Sequence, residues 1–176
     1  MKKFLFIDTE TTGLNPEHCV ILEFAMIITD ANLNELESYT AVAHVDQYHL
    51  DGMNHWADKQ HRESGLIDDV KKSTKTIVQI EREVLEIMAR QFSGIQQPVV
   101  AGNSVHFDKK FIAAHMPNLN KRLHYRIIDV SSFKEALDTY ANFRLDNRPV
   151  AHRALLDIKD SIYYLKHYLE RFNCEK

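Results

Sequence analysis

The chain has 176 residues, 44% of them hydrophobic and 27% charged, with a formal net charge of -3. That length suits one domain around one core, so residues 1–176 are expected to form a single unit. A balance so close to neutral excludes a broad electrostatic grip on long nucleic acid and leaves room for a short oligonucleotide held through cations and a few bases.

Lys3 to Asp8 reads as a central strand, because both of its faces are apolar. Gly13, Asn15 and Pro16 break the chain after it. Val20 to Thr29 is a second strand with Glu23 as its odd polar residue, Asp30 to Asn34 turns it back, and Leu36 to Val45 is a third. Met53 to Glu63 reads as a short helix closed by Ser64-Gly65, and Thr76 to Phe92 as a stronger one with Ile77, Ile80, Val84 and Ile87 on one face. Val99 to Ala101 is a short strand, and Asp108 falls in the helix after it with Phe107, Phe111 and Ile112 as core candidates. Tyr125 to Asp129 is a further strand and Ser131 to Tyr140 a helix. A polar loop over Ala141 to Val150 leads to a last helix from about His152 to Glu170, striped by Leu155, Ile158, Ile162, Leu165 and Leu169. Three strands followed by alternating helices and strands predict an α/β fold, a mixed central sheet flanked by helices.

The first strand delivers Asp8 to its end, with Glu10 two residues later. In an extended segment those side chains point the same way. Two carboxylates aimed at one spot repel unless a cation lies between them, and oxygen ligands favour a hard divalent ion such as Mg²⁺ or Mn²⁺. Paired ions of this kind are the usual machinery for cutting phosphodiesters. Asp108 and Asp157 are the further candidate ligands. A lone mid-helix Asp is ordinarily a solvated face residue, but Asp157 sits between Leu155-Leu156 and Ile158, where an unpaired carboxylate is costly. His152 is the candidate general base, since imidazole's ordinary pKa near 6.5 suits taking a proton from water at neutral pH.

Cys19 and Cys174 are far apart and fit no zinc spacing, which reads as reduced thiols in a cytoplasmic protein. The start meets Asp8 before a signal-peptide core can form, and no apolar run approaches the roughly 18 residues that span a membrane.

The motifs, in order and spacing, resemble the DEDD superfamily of 3′-to-5′ exonucleases, in the branch whose last motif carries histidine. They cover essentially the whole chain. Ile28-Thr29-Asp30-Ala31-Asn32-Leu33-Asn34, Ser64-Gly65-Leu66, Gly102-Asn103-Ser104-Val105-His106-Phe107-Asp108, His124-Tyr125-Arg126 with Asp129-Val130-Ser131, and His152-Arg153-Ala154-Leu155-Leu156-Asp157-Ile158 are most similar to the oligoribonuclease family within it. The resemblance implies a ribonuclease-H-like fold, two divalent cations held by Asp8, Glu10, Asp108 and Asp157, His152 as base, a homodimer, and very short single-stranded RNA as substrate. It also implies substrate contacts from Leu14, Trp56, His61, Ser104, Tyr125 and Arg126, with Tyr125 reaching across the dimer. Read without the resemblance, Leu14 and Trp56 are equally core residues.

Two stretches depart from the family pattern. Asp8-Thr9-Glu10-Thr11-Thr12-Gly13-Leu14 is closer to proofreading DNA exonucleases, and the Ala141 to Val150 loop lacks the glycine- and lysine-containing stretch that precedes the histidine, leaving Arg148 as the cation there. The alternatives are therefore a DNA 3′-to-5′ exonuclease and, in a different class, an inactive nucleic-acid-binding module. The last would be expected to lack one of the five catalytic residues.

Overall fold

Five strands form one mixed sheet in the order β3-β2-β1-β4-β5. The computed structural model describes residues 2–94, 96–146 and 148–173. The central strand β1 (Phe4–Thr11) runs antiparallel to β2 (Ile21–Thr29) and parallel to β4 (Val99–Gly102). β3 (Glu35–Val42) adds antiparallel to β2, and β5 (Ile127–Asp129) parallel to β4. β1 ends three residues later than the sequence pattern suggests, so Glu10 lies within the strand rather than after it.

Alternation along β1 sends Leu5 and Ile7 to one face and Phe6 to the other. The first face packs on α4 (Ile77–Gln91) and α5 (His106–His115) through Ile80, Val84, Phe111 and Ile112. The second packs on α7 (Val130–Ala141) and α8 (Ala154–Asn173) through Leu137, Ile158 and Leu165. A satellite cluster of Leu22, Leu50, Leu66, Ile67 and Val70 lies under α1 (Gln47–Asp51) and α3 (Leu66–Lys72). Two further helices stand among the described residues, α2 (His55–Glu63) and α6 (Pro117–Arg122).

Local chemistry sets the boundaries. Thr76 caps α4 in a reciprocal capping box with Gln79. Glu81, buried on α4, accepts hydrogen bonds from the backbone amides of Asn118 and Leu119 at 2.7 and 2.9 Å, satisfying the otherwise unpaired first turn of α6. Gly102 lets the end of β4 approach β1, since a Cβ there would stand 2.8 Å from the Ile7 carbonyl.

Several boundaries differ from the sequence expectation. β3 ends at Val42, and β5 starts at Ile127, which leaves Tyr125 and Arg126 outside it. α8 starts at Ala154, so His152 precedes the helix. The apolar stripe of α8 fades toward its end, where Leu169 is exposed, and Leu156 beside Asp157 also faces out. Cys174 lies outside the described residues, and Cys19 is a free thiol.

Candidate active site

The alternation that builds the core also builds the site. Asp8 and Glu10 fall on the Phe6 face of β1, the face covered by α8, and Asp157 comes from the first turn of α8. One oxygen from each of the three lies within 4.8 Å of the others. Thr9 points the opposite way, toward α5. There Asp108 Oδ1 accepts hydrogen bonds from the Thr9 amide at 2.8 Å and the Thr9 hydroxyl at 2.7 Å. Asp108 is thus brought to the edge of the cluster by Thr9 rather than into the tight trio.

The charges are held under stress. Desolvation, then Asp108, Glu10 and Asp157, push Asp8 well above the ordinary carboxylate range. Desolvation, reinforced by Asp157 and Glu23, pushes Glu10 up to about 8. Desolvation raises Asp108 to about 7 against the opposing hydrogen bonds from Thr9. Asp157 is also raised by desolvation, with the Ala151 amide and His152 pulling the other way. An oxygen-only donor set that cannot ionise fully by itself fits a hard divalent cation.

Glu10 also lines a mostly apolar cleft of about 400 Å³, walled by Leu14, Trp56, His61, Phe107 and Asn54. Leu14 is 77% exposed and Trp56 62% exposed, so neither is a core residue. Asn54 caps α2 by accepting from the Ala57 amide, which sets Trp56 on the first turn of that helix. His61, one turn further, is only 3% exposed. Its Nε2 meets the Thr11 carbonyl at 2.9 Å, while its Nδ1 has no hydrogen-bond partner and stands 3.8 Å from Glu10 Oε2.

His152 adopts a left-handed backbone, φ 50, and its ring meets Trp56 edge-on at 5.5 Å. On the other side of the cluster a second cleft of about 430 Å³ is lined by Asp8, Asp157, Asn103, Lys134 and Arg148. Arg148 is paired with Asp160. Ser104, also left-handed, lies at the same end of the sheet, its amide donating to Asp129 Oδ1 and Ser131 Oγ at 3.0 Å each.

Tyr125 and Arg126 are not brought to this site within one chain. Ile127, the first residue of β5, is level with Val100 and so with Leu5, about 10 Å along the strands from Asp8, and Tyr125 and Arg126 precede it. Tyr125 is 76% exposed there, stacked on His124 with the Arg126 guanidinium over its ring.

Three residues of the site region, Thr9, Glu23 and Arg153, have no role assigned from the sequence, although Thr9 and Arg153 lie within the first and last motifs. The visible signal for Glu23 is its charge in an otherwise apolar strand, directly opposite Glu10.

Comparison with known proteins agrees with this geometry. The model of the exonuclease family RNase_T matches residues 5–165. The oligoribonuclease of Idiomarina loihiensis is 40% identical over 97% of this chain and 94% of its own length. That of Chromobacterium violaceum is 40% identical over 96% and 94%. This chain belongs to the oligoribonuclease family. It is therefore an exonuclease, a hydrolase of phosphodiester bonds. Among solved structures, exonuclease I from Methylocaldum szegediense superimposes with a TM-score of 0.75 at 18% identity, over 97% of this chain and 41% of that one. A zinc-bound complex of Escherichia coli exonuclease I with single-stranded DNA gives 0.69 at 14% identity, over 94% and 40%. The chain spans about two-fifths of those proteins, and the likeness places the mixed sheet in the ribonuclease-H-like fold.

Proposed function

We propose that this oligoribonuclease-family chain is a single-domain 3′-to-5′ exoribonuclease. Its substrate is very short single-stranded RNA, about two to five nucleotides, cut to nucleoside 5′-monophosphates. The observation that carries this reading is that one residue, Glu10, belongs both to the carboxylate cluster and to a cleft of about 400 Å³. That volume is in the range of a small-molecule site, suited to one nucleoside rather than a long strand.

Asp8, Glu10, Asp108 and Asp157 would hold two divalent cations, Mg²⁺ or Mn²⁺, which when bound supply positive charge to the phosphate and acidify the attacking water. Leu14 wedges against the terminal base and Trp56 offers it an exposed indole face. His61 Nε2 donates to the Thr11 carbonyl and burial disfavours the protonated ring, so its buried, unpartnered Nδ1 is free to accept from a ribose hydroxyl in the cleft. His152 takes the proton from the attacking water as the bond to the departing 3′ oxygen breaks. Ser104, at the same end of the sheet, orients the upstream phosphate.

Tyr125 and Arg126 complete a site only if a second copy presents them, which supports a homodimer in which each protomer lends them to its partner. Mixing Asp157→Ala with Tyr125→Ala protomers should then restore activity that neither has alone. Absence of restoration in verified mixed dimers would refute the exchange.

The first motif and the likeness to single-strand DNA complexes favour a DNA exonuclease as the second reading. Against it, those structures share under a fifth of their residues with this chain. The inactive binding module is disfavoured because all five residues Asp8, Glu10, Asp108, His152 and Asp157 are present. No helix among the described residues is long and apolar enough to cross a membrane. Alanine at each of the four carboxylates should abolish turnover in Mg²⁺ or Mn²⁺ while leaving the fold intact by circular dichroism. Full turnover by any one removes it from the ligand set.

A further inference from the structure

We infer that Glu23 and Arg153 are positioning residues for His152: their ion pair pins the start of α8 to β2 and fixes where the imidazole stands. The inference rests on the general-base reading given above for His152.

Glu23 is 3% exposed on β2. Arg153 Nη2 donates to its Oε1 at 3.0 Å, and Arg153 Nε reaches Oε1 and Oε2 at 3.3 and 3.2 Å. Oε2 also accepts the amide of Ala154, the first residue of α8, at 3.0 Å. The remaining arm of the guanidinium, Nη1, stands 3.0 Å from Asp69 Oδ2 on α3. One side chain thus ties three elements together. Its own backbone starts the helix, since the Arg153 carbonyl accepts from the amides of Leu156 and Asp157 at 2.9 and 3.1 Å.

His152 is the residue immediately before this anchor, in a left-handed conformation that persists only where the flanking chain over-determines it. On its other side, the hydrogen bond that holds Ala151 among the described residues is a long one, 3.4 Å, from its amide to Asp157 Oδ1. The stronger constraint on His152 therefore comes through Arg153.

Stability alone does not account for the pair. Well-packed apolar residues generally serve as well as a buried ion pair, and Glu23 places one more negative charge opposite Glu10. What a forked guanidinium–carboxylate contact adds is a fixed geometry.

The test uses Arg153→Met, Arg153→Lys and Glu23→Gln in the full chain, with His152→Ala as reference. Kinetics on a 5′-labelled diribonucleotide give kcat and KM. The chain's single tryptophan gives one indole N–H resonance, and His152 lies edge-on to that ring. Arg153→Met should lower kcat on the order of 10- to 100-fold with KM little changed. Its indole resonance should move toward the position seen in His152→Ala. Arg153→Lys, which keeps the charge but not the fork, should fall between. Should Arg153→Met fail to fold, the same comparison is made on Arg153→Lys and Glu23→Gln. A folded variant with wild-type kcat and a wild-type indole resonance overturns the inference. If His152→Ala keeps full kcat, the general-base reading fails instead, and the indole shift still reports whether the pair holds the ring.

Discussion

Removing cations should destabilise this protein, and the size of the effect should depend on pH. In the cation-free chain Glu10 keeps its proton up to about pH 8 and Asp108 up to about 7, whereas unfolded carboxyls release theirs near 4. Between those limits the folded state binds more protons than the unfolded one. Stability must therefore fall as pH rises, being fully present below the unfolded pKa and lost progressively toward the folded one. The rise of Glu10 from 4.5 to about 8 alone corresponds to about 5 kcal/mol. Desolvation is the leading cause at Asp8, Asp108 and Asp157 as well, and only their mutual repulsion overlaps with that of Glu10, so a total loss of at least about 5 kcal/mol is expected. For a chain of this size about 5 kcal/mol lowers Tm by roughly 10–20 °C. Thermal unfolding followed by circular dichroism, in chelator and in Mg²⁺ from pH 5 to pH 8, measures it. The two curves should nearly coincide at pH 5 and separate by pH 8, and Glu10→Gln in chelator should lose much of the slope. A Tm in chelator that is flat or rises between pH 5 and 8 and matches the Mg²⁺ curve would refute the account of the cluster.

His152→Ala should bind Mn²⁺ nearly as well as wild type in calorimetry while hydrolysing ~10²–10⁴-fold more slowly, and its rate should lose the acidic limb of the pH profile. Loss of metal binding in that variant would move His152 into the ligand set. Trp56→Ala should weaken short-RNA binding with little change in salt dependence, and Arg126→Ala should weaken it while flattening the salt dependence, both read by fluorescence polarisation from 50 to 200 mM salt. Identical salt slopes for Arg126→Ala and wild type would remove Arg126 from phosphate contact. Glu81→Ala, which strips two amides of α6 of their acceptor, should cost about 2–3 kcal/mol in urea unfolding and leave kcat unchanged. A fall in kcat without a loss of stability would mean Glu81 acts on the site.

Much of the sheet was legible because its signals are local. β1 and β2 are apolar runs, and the face of α4 repeats at three and four residues, with Ile80, Val84 and Ile87 buried as the spacing requires. The convergence of Asp8 and Glu10 was legible for the same reason, since strand alternation fixes side-chain direction. α1, α3 and α6 were missed. None exceeds seven residues, too short for a helical period to declare itself, and they are held by tertiary contacts such as Glu81 at α6. The exposure of Leu14 and Trp56 was not readable, because apolar residues give no local sign of which way a loop or a first helical turn faces. The distance of Arg126 from the cleft was invisible too: it depends on the register of β5 against β4 and β1, which no single segment encodes. Glu23 showed itself as an oddity, but its partner Arg153 is 130 residues away in sequence.

Service of very short RNA by the carboxylate cluster and its small cleft can be measured directly. The direct measurement incubates the protein with 5′-labelled RNA and DNA from two to twenty nucleotides, in Mg²⁺ or Mn²⁺ and in chelator, and compares kcat/KM across lengths. The highest value is expected on the shortest RNA, with a steep fall with length, release of nucleoside 5′-monophosphate from the 3′ end, and no turnover in chelator. A protein that degrades twenty-nucleotide DNA as fast as a diribonucleotide would contradict that expectation and favour the DNA exonuclease reading.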